Sequence, residues 1–392
     1  MNYNNPIPST FSLVIRLSSI VLFALFSFLY LFCLQCDVLA EAQYVFSGGV
    51  TSYSRLWGAL IITAILLAVQ GVVAKYTQLT GRWYALTFFP SFLLLTLLTS
   101  LNRVVIADFS LHQWAWAFPL LIVVFLVTLY LSRKMPGESI NEGDYHLSRY
   151  LWPNFLTMFL MMVLCGANAS ADDVYMYELK AERLLLEKDY EGASRVGEES
   201  LVTSPRLNEL RMYALAQQGL LGERLFDYPQ PYGEKSLMQM DDTMTSLHRF
   251  TCKDIQEALG AWANSSVTTF QQYIDLLKQN PSTRHNPMLA DYVLCGHLLR
   301  NDMYGFMRDI RKYYDLSTPG KVIELPKAYR EALLLQAKAI GRDSLSAFAD
   351  TSMLAAYRDY AEIKSSEEKE IVRNNRLRRN YGNTFWWYVE QE

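Results

Sequence analysis

The chain has 392 residues, of which 51% are hydrophobic, and its formal net charge is −3. This balance of charge excludes the strongly basic surface that nucleic-acid binding requires, so we expect no nucleic-acid partner. The composition changes near residue 170, where long apolar runs give way to a polar, net acidic sequence. We therefore predict two domains, 1–168 and 172–392.

Five apolar runs fill the first domain, at about residues 11–34, 56–74, 83–101, 114–131 and 151–167. About 20 apolar residues are needed to cross the hydrocarbon layer of a membrane, with a usable range of ~17 to 25. The five runs therefore predict five transmembrane helices, and the lipid bilayer is the first expected partner. Trp and Tyr at the edges of the runs suit the level of the lipid headgroups.

Basic residues in the short loops predict the orientation of these helices, because Lys and Arg accumulate on the cytoplasmic side. Two basic residues, Arg55 and Arg103, fall on one side. Six fall on the other, namely Arg16, Lys75, Arg82, Arg133, Lys134 and Arg149. The N-terminus is then cytoplasmic, and five crossings place residues 172–392 outside the cytoplasm. Cleavage after Ala171, in a late signal peptide, is an alternative reading of the fifth run.

Two pairs in the first outer loop suggest enzymatic alternatives. Cys33 and Cys36 form a CxxC pair that resembles those of quinone-linked disulfide-forming oxidases, although residues 102–112 lack the second pair that those enzymes need. Asp37 and Glu41 resemble the acidic loop residues of lipid-linked glycosyl transferases, which generally have more spans. The common catalytic motifs are absent. We predict no catalytic residue, cofactor or metal, and keep both enzymes as alternative functions.

The second domain has helical periodicity broken by Pro and Gly, which predicts an all-α fold. Its first part, about 34 residues long, resembles a tetratricopeptide repeat, a pair of antiparallel helices that pack through small side chains. The repeat-packing residues are Tyr177, Ala181, Leu184, Tyr190, Ala193, Leu201 and Pro205. In this comparison Lys188-Asp189 is the turn between the helices, and Pro205 ends the second helix.

One repeat cannot bury its own apolar face, so further helices must follow it. We expect them at 207–220, 252–262, 266–278 and 326–340, together with a hairpin of residues 287–299 and 306–314 whose turn is Asn301-Asp302. The predicted architecture is thus a bundle of about five transmembrane helices followed by a tetratricopeptide-like α-solenoid. Cys252 and Cys295 could form a disulfide in an oxidising compartment, or remain two buried thiols.

The C-terminal segment is aromatic. Phe385, Trp386, Trp387 and Tyr388 follow one another, and residues 381–388 are expected to fold back as a strap on the C-terminal helices. The rings would serve either as a structural cap or as a stacking platform for a ligand. The basic run before them, Arg373, Arg376, Arg378 and Arg379, is typical of a solvated helix face, and a tail against anionic lipid is the alternative.

Several short segments, including 225–233 (LFDYPQPYG) and 381–388 (YGNTFWWY), resemble an uncharacterised family of Bacteroides-type membrane proteins with a tetratricopeptide-like tail. The resemblance extends over nearly the whole chain and implies a bacterial inner membrane and no known activity. With the orientation predicted from the loop charges, residues 172–392 would lie in the periplasm. Because helical repeats commonly bind other proteins, we expect a membrane-anchored scaffold with a protein or peptide partner in the periplasm.

Overall fold

The structure is a computed structural model that describes residues 9–101, 114–134, 147–168, 172–240, 248–263, 267–280, 283, 286–316, 324–341, 350–367 and 369–391. Every regular element among these residues is helical. The chain divides into two compact units, Met1–Met176 and Tyr177–Glu392. Arg103, Gly137 and the candidate cleavage motif Ala169–Ala171 lie outside the described residues.

The first unit contains six α-helices, a π-helical turn and a 3-10 helix within the described residues. They are α1 (Ser9–Leu29), the π turn (Tyr30–Leu34), α2 (Cys36–Phe46), α3 (Arg55–Thr77), the 3-10 helix (Gly81–Phe88), α4 (Phe89–Thr99), α5 (Trp114–Lys134) and α6 (Ser148–Ala167). Five segments among them are long and apolar enough to cross a membrane, and they begin and end within a few residues of the predicted runs. The prediction of a multi-pass membrane protein is confirmed at this level.

The third apolar run differs from the uniform helix that its hydropathy predicts, because it begins with the 3-10 helix. Asn154 of α6, whose side chain is buried, supports this irregular backbone. Its Oδ1 accepts a hydrogen bond from the Ala85 N–H (2.7 Å), and its Nδ2 donates to the Gly81 carbonyl (2.7 Å). Away from water an irregular backbone persists only where protein groups satisfy it, and one asparagine does so here.

Aromatic rings make up much of the core of this unit, and large apolar side chains are also exposed on its outside. Phe23 of α1 packs 5.2 Å from Phe88 and edge-to-face, at 4.9 Å, with Phe92 of α4. Val21, on the same helix as Phe23, is 63% exposed. An apolar exterior of this kind is what contact with lipid requires.

The second unit consists of short helices. They are α7 (Asp173–Leu186), α8 (Tyr190–Arg195), α9 (Pro205–Gln217), α10 (Leu221–Arg224), α11 (Cys252–Leu259), α12 (Phe270–Gln279), α13 (Pro287–Leu299), α14 (Met303–Tyr313), α15 (Lys327–Ile340), α16 (Thr351–Ser365), α17 (Glu370–Tyr381) and α18 (Phe385–Gln391). A 3-10 turn, Gly233–Ser236, lies between α10 and α11. The helices predicted at 207–220, 252–262, 266–278 and 326–340 correspond to α9, α11, α12 and α15.

Three of the helix pairs, α7/α8, α9/α10 and α13/α14, are joined by the same turn. A residue with positive φ ends the first helix of each pair: Lys188, Gly219 and Asn301. The next N–H then donates to the carbonyl five residues earlier, at 2.8 to 2.9 Å in all three pairs, which is the bonding of a Schellman motif. In the first and third pairs an aspartate, Asp189 or Asp302, caps the second helix through the N–H of a glycine three residues on. Both turns were predicted from the sequence.

The first pair departs from the repeat pattern in its second helix. α8 ends at Arg195, because Val196 is extended and Gly197 has a φ of +67°, which glycine adopts at little cost. Pro205, expected to end this helix, instead lies in the first turn of α9, where its missing N–H leaves no bond unmade. The predicted packing residue Leu201 is 66% exposed and lies between the two helices.

Candidate binding groove

A groove of about 680 Å³ lies on the second unit between two segments that are far apart in the sequence. One wall is the chain around residues 226–231, which follows α10. The other wall comes from the end of α17 and from α18. Aromatic residues, arginines and amides make up most of the lining of the groove. It is therefore a mixed apolar and polar site, of the kind that recognises a ligand by shape and by hydrogen bonds.

The first wall is held in place by buried amide side chains. Gln230 donates from Nε2 to the Leu225 carbonyl (2.8 Å), which ties the two ends of the segment together. Asn208 of α9 donates to the Pro229 carbonyl (2.9 Å) and to Gln230 Oε1 (3.2 Å). Proline fixes φ at positions 229 and 231. This wall is therefore an ordered surface although it contains no regular helix.

A buried arginine lies under the same wall. The Arg211 guanidinium donates to the Val196 carbonyl from Nε (2.8 Å) and Nη2 (2.6 Å), and it packs 4.3 Å from the centre of the Tyr228 ring. Burial lowers its pKa to about 10, and the nearby tyrosines oppose this shift. A Cβ on Gly197 would lie 2.5 Å from Nη2. Arg211 thus joins the early end of α8 to the aromatic face of the groove.

The second wall is anchored through the backbone at the start of α18. The Phe385 N–H donates to Glu331 Oε2 (2.7 Å), and Lys327 Nζ donates to the Asn383 carbonyl (2.9 Å). Burial raises the pKa of Glu331 to about 7, while Lys327 and the Phe385 N–H oppose the rise. Tyr388, one turn later, donates its hydroxyl to the Leu299 carbonyl (2.8 Å).

The four C-terminal rings divide into two pairs. Phe385 and Trp386 are 0% and 2% exposed and belong to the core, whereas Trp387 and Tyr388 are half-buried and line the groove. Phe226 of the opposite wall contacts this segment, with its ring centre 5.1 Å from that of Tyr388. One pair thus belongs to the core and the other borders the groove, while the roles of cap and stacking platform stay predictions.

The charge in the groove is positive. Its single acidic side chain among the described residues, Asp227, accepts a hydrogen bond from Arg224 Nε at 2.7 Å. Arg378 and Arg379 are exposed at the groove, and no ion pair joins them to another described residue. Arg378 and Arg379 therefore add two exposed positive charges to the lining of the groove.

The repeat-packing residues lie on α7 and α8, in the segment that follows α8, and at the start of α9. Ala181 and Ala193 are fully buried, as close helix contact requires, while Tyr177, Leu184, Tyr190 and Pro205 are half-buried. Of the seven, Leu201 also reaches the groove.

The cysteines of the second unit have different partners. Cys252 accepts a hydrogen bond from Gln256 (3.3 Å), and the Cys295 sulfur lies 3.4 Å from the Tyr329 hydroxyl. Neither is joined in a disulfide. Burial raises the pKa of the Cys295 thiol. Their pairing in an oxidising compartment stays a prediction.

The residues behind the enzymatic alternatives lie at the end of the first span. Cys33 is exposed in the π turn and Cys36 is buried at the start of α2, so the two thiols have different surroundings. Asp37 and Glu41 are both buried and one helical turn apart on α2. Within the described residues, no three His, Cys, Asp or Glu side chains are placed to hold a metal ion.

Another charged cluster, which the sequence did not indicate, joins α12, α13 and α14. The buried Asp309 carboxylate contacts Lys278 Nζ (2.6 Å), His297 Nε2 (3.0 Å) and Lys312 Nζ (2.8 Å). Burial alone would raise the pKa of Asp309, but hydrogen bonds from Arg308, from these lysines and from His297 hold it well below its usual range. The carboxylate is fully occupied by these partners, which indicates a structural role.

Comparison with known proteins relates part of this unit to a family. Residues 263–392 match the model of a family of unknown function (DUF6057). Neither the comparison with curated proteins nor that with solved structures gives a match. The family match covers α12 to α18 and so includes the arginine and aromatic wall of the groove. The wall at 226–231 lies outside it.

Both walls of the groove stand out in the sequence, but nothing in the sequence predicts that they lie next to each other. The 225–233 segment and the C-terminal aromatic run were each conspicuous, and two prolines flanked by tyrosines signal an ordered aromatic surface. Arg378 and Arg379 were expected on a solvated face. Arg211 and Glu331 carried no signal, because a single charged residue in a helix is ordinarily exposed.

Proposed function

We propose that this protein is a membrane-anchored binding protein, in which five transmembrane helices tether a helical domain that captures a protein or peptide partner. The observation that carries the proposal is the groove, where ordered walls present rings and arginines to solvent. Rigid aromatic side chains and arginines are the residues that contribute most to binding energy at interfaces.

The helical pairs support the same proposal. Three pairs with one type of turn are compatible with a degenerate tetratricopeptide-like array, and helical arrays commonly bind proteins. We further propose that the protein lies in a bacterial inner membrane with its N-terminus in the cytoplasm and residues 172–392 in the periplasm. This part of the proposal rests on the distribution of Lys and Arg in the loops.

Reporter fusions test the orientation. A reporter that is active only outside the cytoplasm is expected to work after Glu392 and to fail near Gly137, in the loop before the fifth span. The opposite pattern would reverse the orientation and move the groove into the cytoplasm.

Site-specific photo-crosslinking in native membranes tests the binding role. A photoreactive amino acid at Asn383, which lines the groove, is expected to give a discrete adduct with another protein. The same amino acid at Asn375, exposed on α17 and outside the groove, is the control. Identical adducts at both positions, or none at Asn383, would contradict a binding role for the groove.

A further inference from the structure

The charge and shape of the groove restrict what can occupy it. Arg378 and Arg379 are consecutive on α17, so their side chains leave the helix about 100° apart. Both nevertheless line the groove, and the paired Asp227 does not neutralise them. A ligand that satisfied both arginines would present negative charge at two separate points along the groove.

Arginine selects planar anions. Its guanidinium donates two parallel hydrogen bonds to a carboxylate, and such charge-assisted bonds are among the stronger ones in proteins. Beside the arginines, the groove offers the half-buried rings of Trp387 and Tyr388. These rings can take an apolar or aromatic side chain that lies between the carboxylates.

The rest of the lining suits a polypeptide backbone. Asn380, Asn383 and Gln391 bring amide groups to the groove, and each can both donate and accept hydrogen bonds. Alternating N–H and C=O groups of an extended peptide match such partners. A volume of about 680 Å³ is within the ~300 to 1,000 Å³ of ordinary ligand sites, so a few residues of peptide can enter.

We infer that the groove binds an acidic peptide segment, in which at least two Asp or Glu carboxylates flank an apolar or aromatic residue. This inference rests on the proposed function and specifies the ligand. A flat anionic membrane would reach the exposed arginines but would leave the aromatic recess unused. A neutral glycan would use the rings and amides but would leave both guanidinium groups without an anion.

The test measures binding of an array of synthetic eight-residue peptides to the full-length protein in neutral detergent micelles. The peptides vary in Asp, Glu, Phe, Tyr, Leu and Pro, and each acidic peptide is paired with its Asn or Gln counterpart. We expect acidic peptides with a central apolar residue to bind at least about tenfold more tightly than their amide counterparts. Their affinity should fall with added salt, which screens exposed charges.

Charge variants link this binding to the groove. Arg378→Gln together with Arg379→Gln should weaken acidic-peptide binding by about tenfold to a hundredfold. The control, Arg373→Gln together with Arg358→Gln, removes the same charge from α17 and α16 outside the groove and should leave the affinity nearly unchanged. An equal loss of peptide affinity in the two double variants would overturn the inference, because it would show general electrostatic attraction rather than binding at the groove.

Other outcomes also overturn it. These are equal binding of the acidic and amide peptides, absence of peptide binding, and arginine-dependent binding of phosphatidylglycerol vesicles in place of peptide. If peptides fail while crosslinks from Asn383 to another protein persist, the groove is a binding site for a different ligand. If the crosslinks are absent as well, the proposed function itself fails.

Discussion

Both units bury polar side chains, but these side chains have different structural roles in the two units. In the membrane unit, Asn154 and Gln70 bond to backbone or hydroxyl groups, and Gln70 donates to both Tyr84 (3.1 Å) and Thr87 (3.1 Å). In the helical unit, Arg211 and Glu331 fix the two walls that border the groove. Buried polar side chains bond to the backbone in both units, but in the first unit they support an irregular helix and in the second they position the walls of the groove.

The largest loss of stability is expected in the membrane unit, where no water can replace a lost hydrogen-bond partner. Asn154→Leu removes the bonds to Ala85 N–H, Gly81 carbonyl and Tyr150 carbonyl. Buried groups left unpaired cost roughly 1 to 3 kcal/mol each, so we expect a large fall in the thermal midpoint of the detergent-solubilised protein. The control is Asn168→Leu, since exposed Asn168 bonds only within its own helix. Similar midpoints for the two variants would contradict the proposed support of the 3-10 helix.

Two adjacent tryptophans of the second unit, Trp386 and Trp387, are expected to have different roles. Trp386 packs edge-to-face with Tyr357, with ring centres 5.2 Å apart, and is almost fully buried. Trp386→Ala should therefore lower the free energy of unfolding by about 3 to 5 kcal/mol. Trp387→Ala should cost much less stability and instead weaken acidic-peptide binding. Thermal unfolding and the peptide assay measure both, and reversed roles would show that the platform is Trp386.

The pH dependence of stability tests the anchor of α18. A carboxyl whose pKa is raised from 4.5 to about 7 favours the folded state when protonated. Glu331 thus stabilises the folded state relative to the unfolded state below about pH 4.5. This contribution is lost as the pH rises through 7, and the free energy of unfolding falls by an amount on the order of 3 kcal/mol. Glu331→Gln, which keeps an acceptor for the Phe385 N–H, should flatten this part of the profile.

Thermal midpoints between pH 5 and 8 measure that profile. The exposed Glu362, replaced by Gln, is the control and should leave the slope of the parent protein in place. An unchanged slope in the Glu331 variant would assign the pH dependence to another group.

The smallest effect concerns the first helix pair. Ala193 is fully buried, so Ala193→Leu should overpack the contact and cost about 1 to 3 kcal/mol. Ala355→Leu makes the same substitution at an exposed position of α16 and should be nearly neutral. Equal unfolding midpoints would show that α8 has room for a larger residue and is not packed as a repeat helix.

Local sequence patterns were sufficient to predict the elements that depend on the hydrophobicity of one segment or on contacts between residues a few positions apart. Five runs of apolar residues predicted the five long helices because transfer into lipid depends on the hydrophobicity of each segment. Lys188-Asp189 and Asn301-Asp302 predicted their turns, since the capping aspartate bonds to a glycine three residues away. The pairs α7/α8 and α13/α14 therefore followed from short-range patterns, whereas the turn between α9 and α10 was not predicted.

Tertiary contacts determined where a helix changes type, where it ends and which helices pack together. The sequence could not place the 3-10 helix, because its support comes from Asn154, about 70 residues later. The early end of α8 was missed for a related reason, since Arg211 caps it from another helix.

The groove is the clearest case of this kind. It unites residues 226–231 with Arg378, Arg379 and Trp387, and contacts between the walls, such as that of the Phe226 and Phe385 rings (5.7 Å between centres), bring them together. The sequence alone was enough to predict the spans, several helices of the second unit, and the aromatic and basic character of the C-terminal segment. Which rings became core and which faced a ligand depended on packing between distant segments, and no local periodicity encodes such packing.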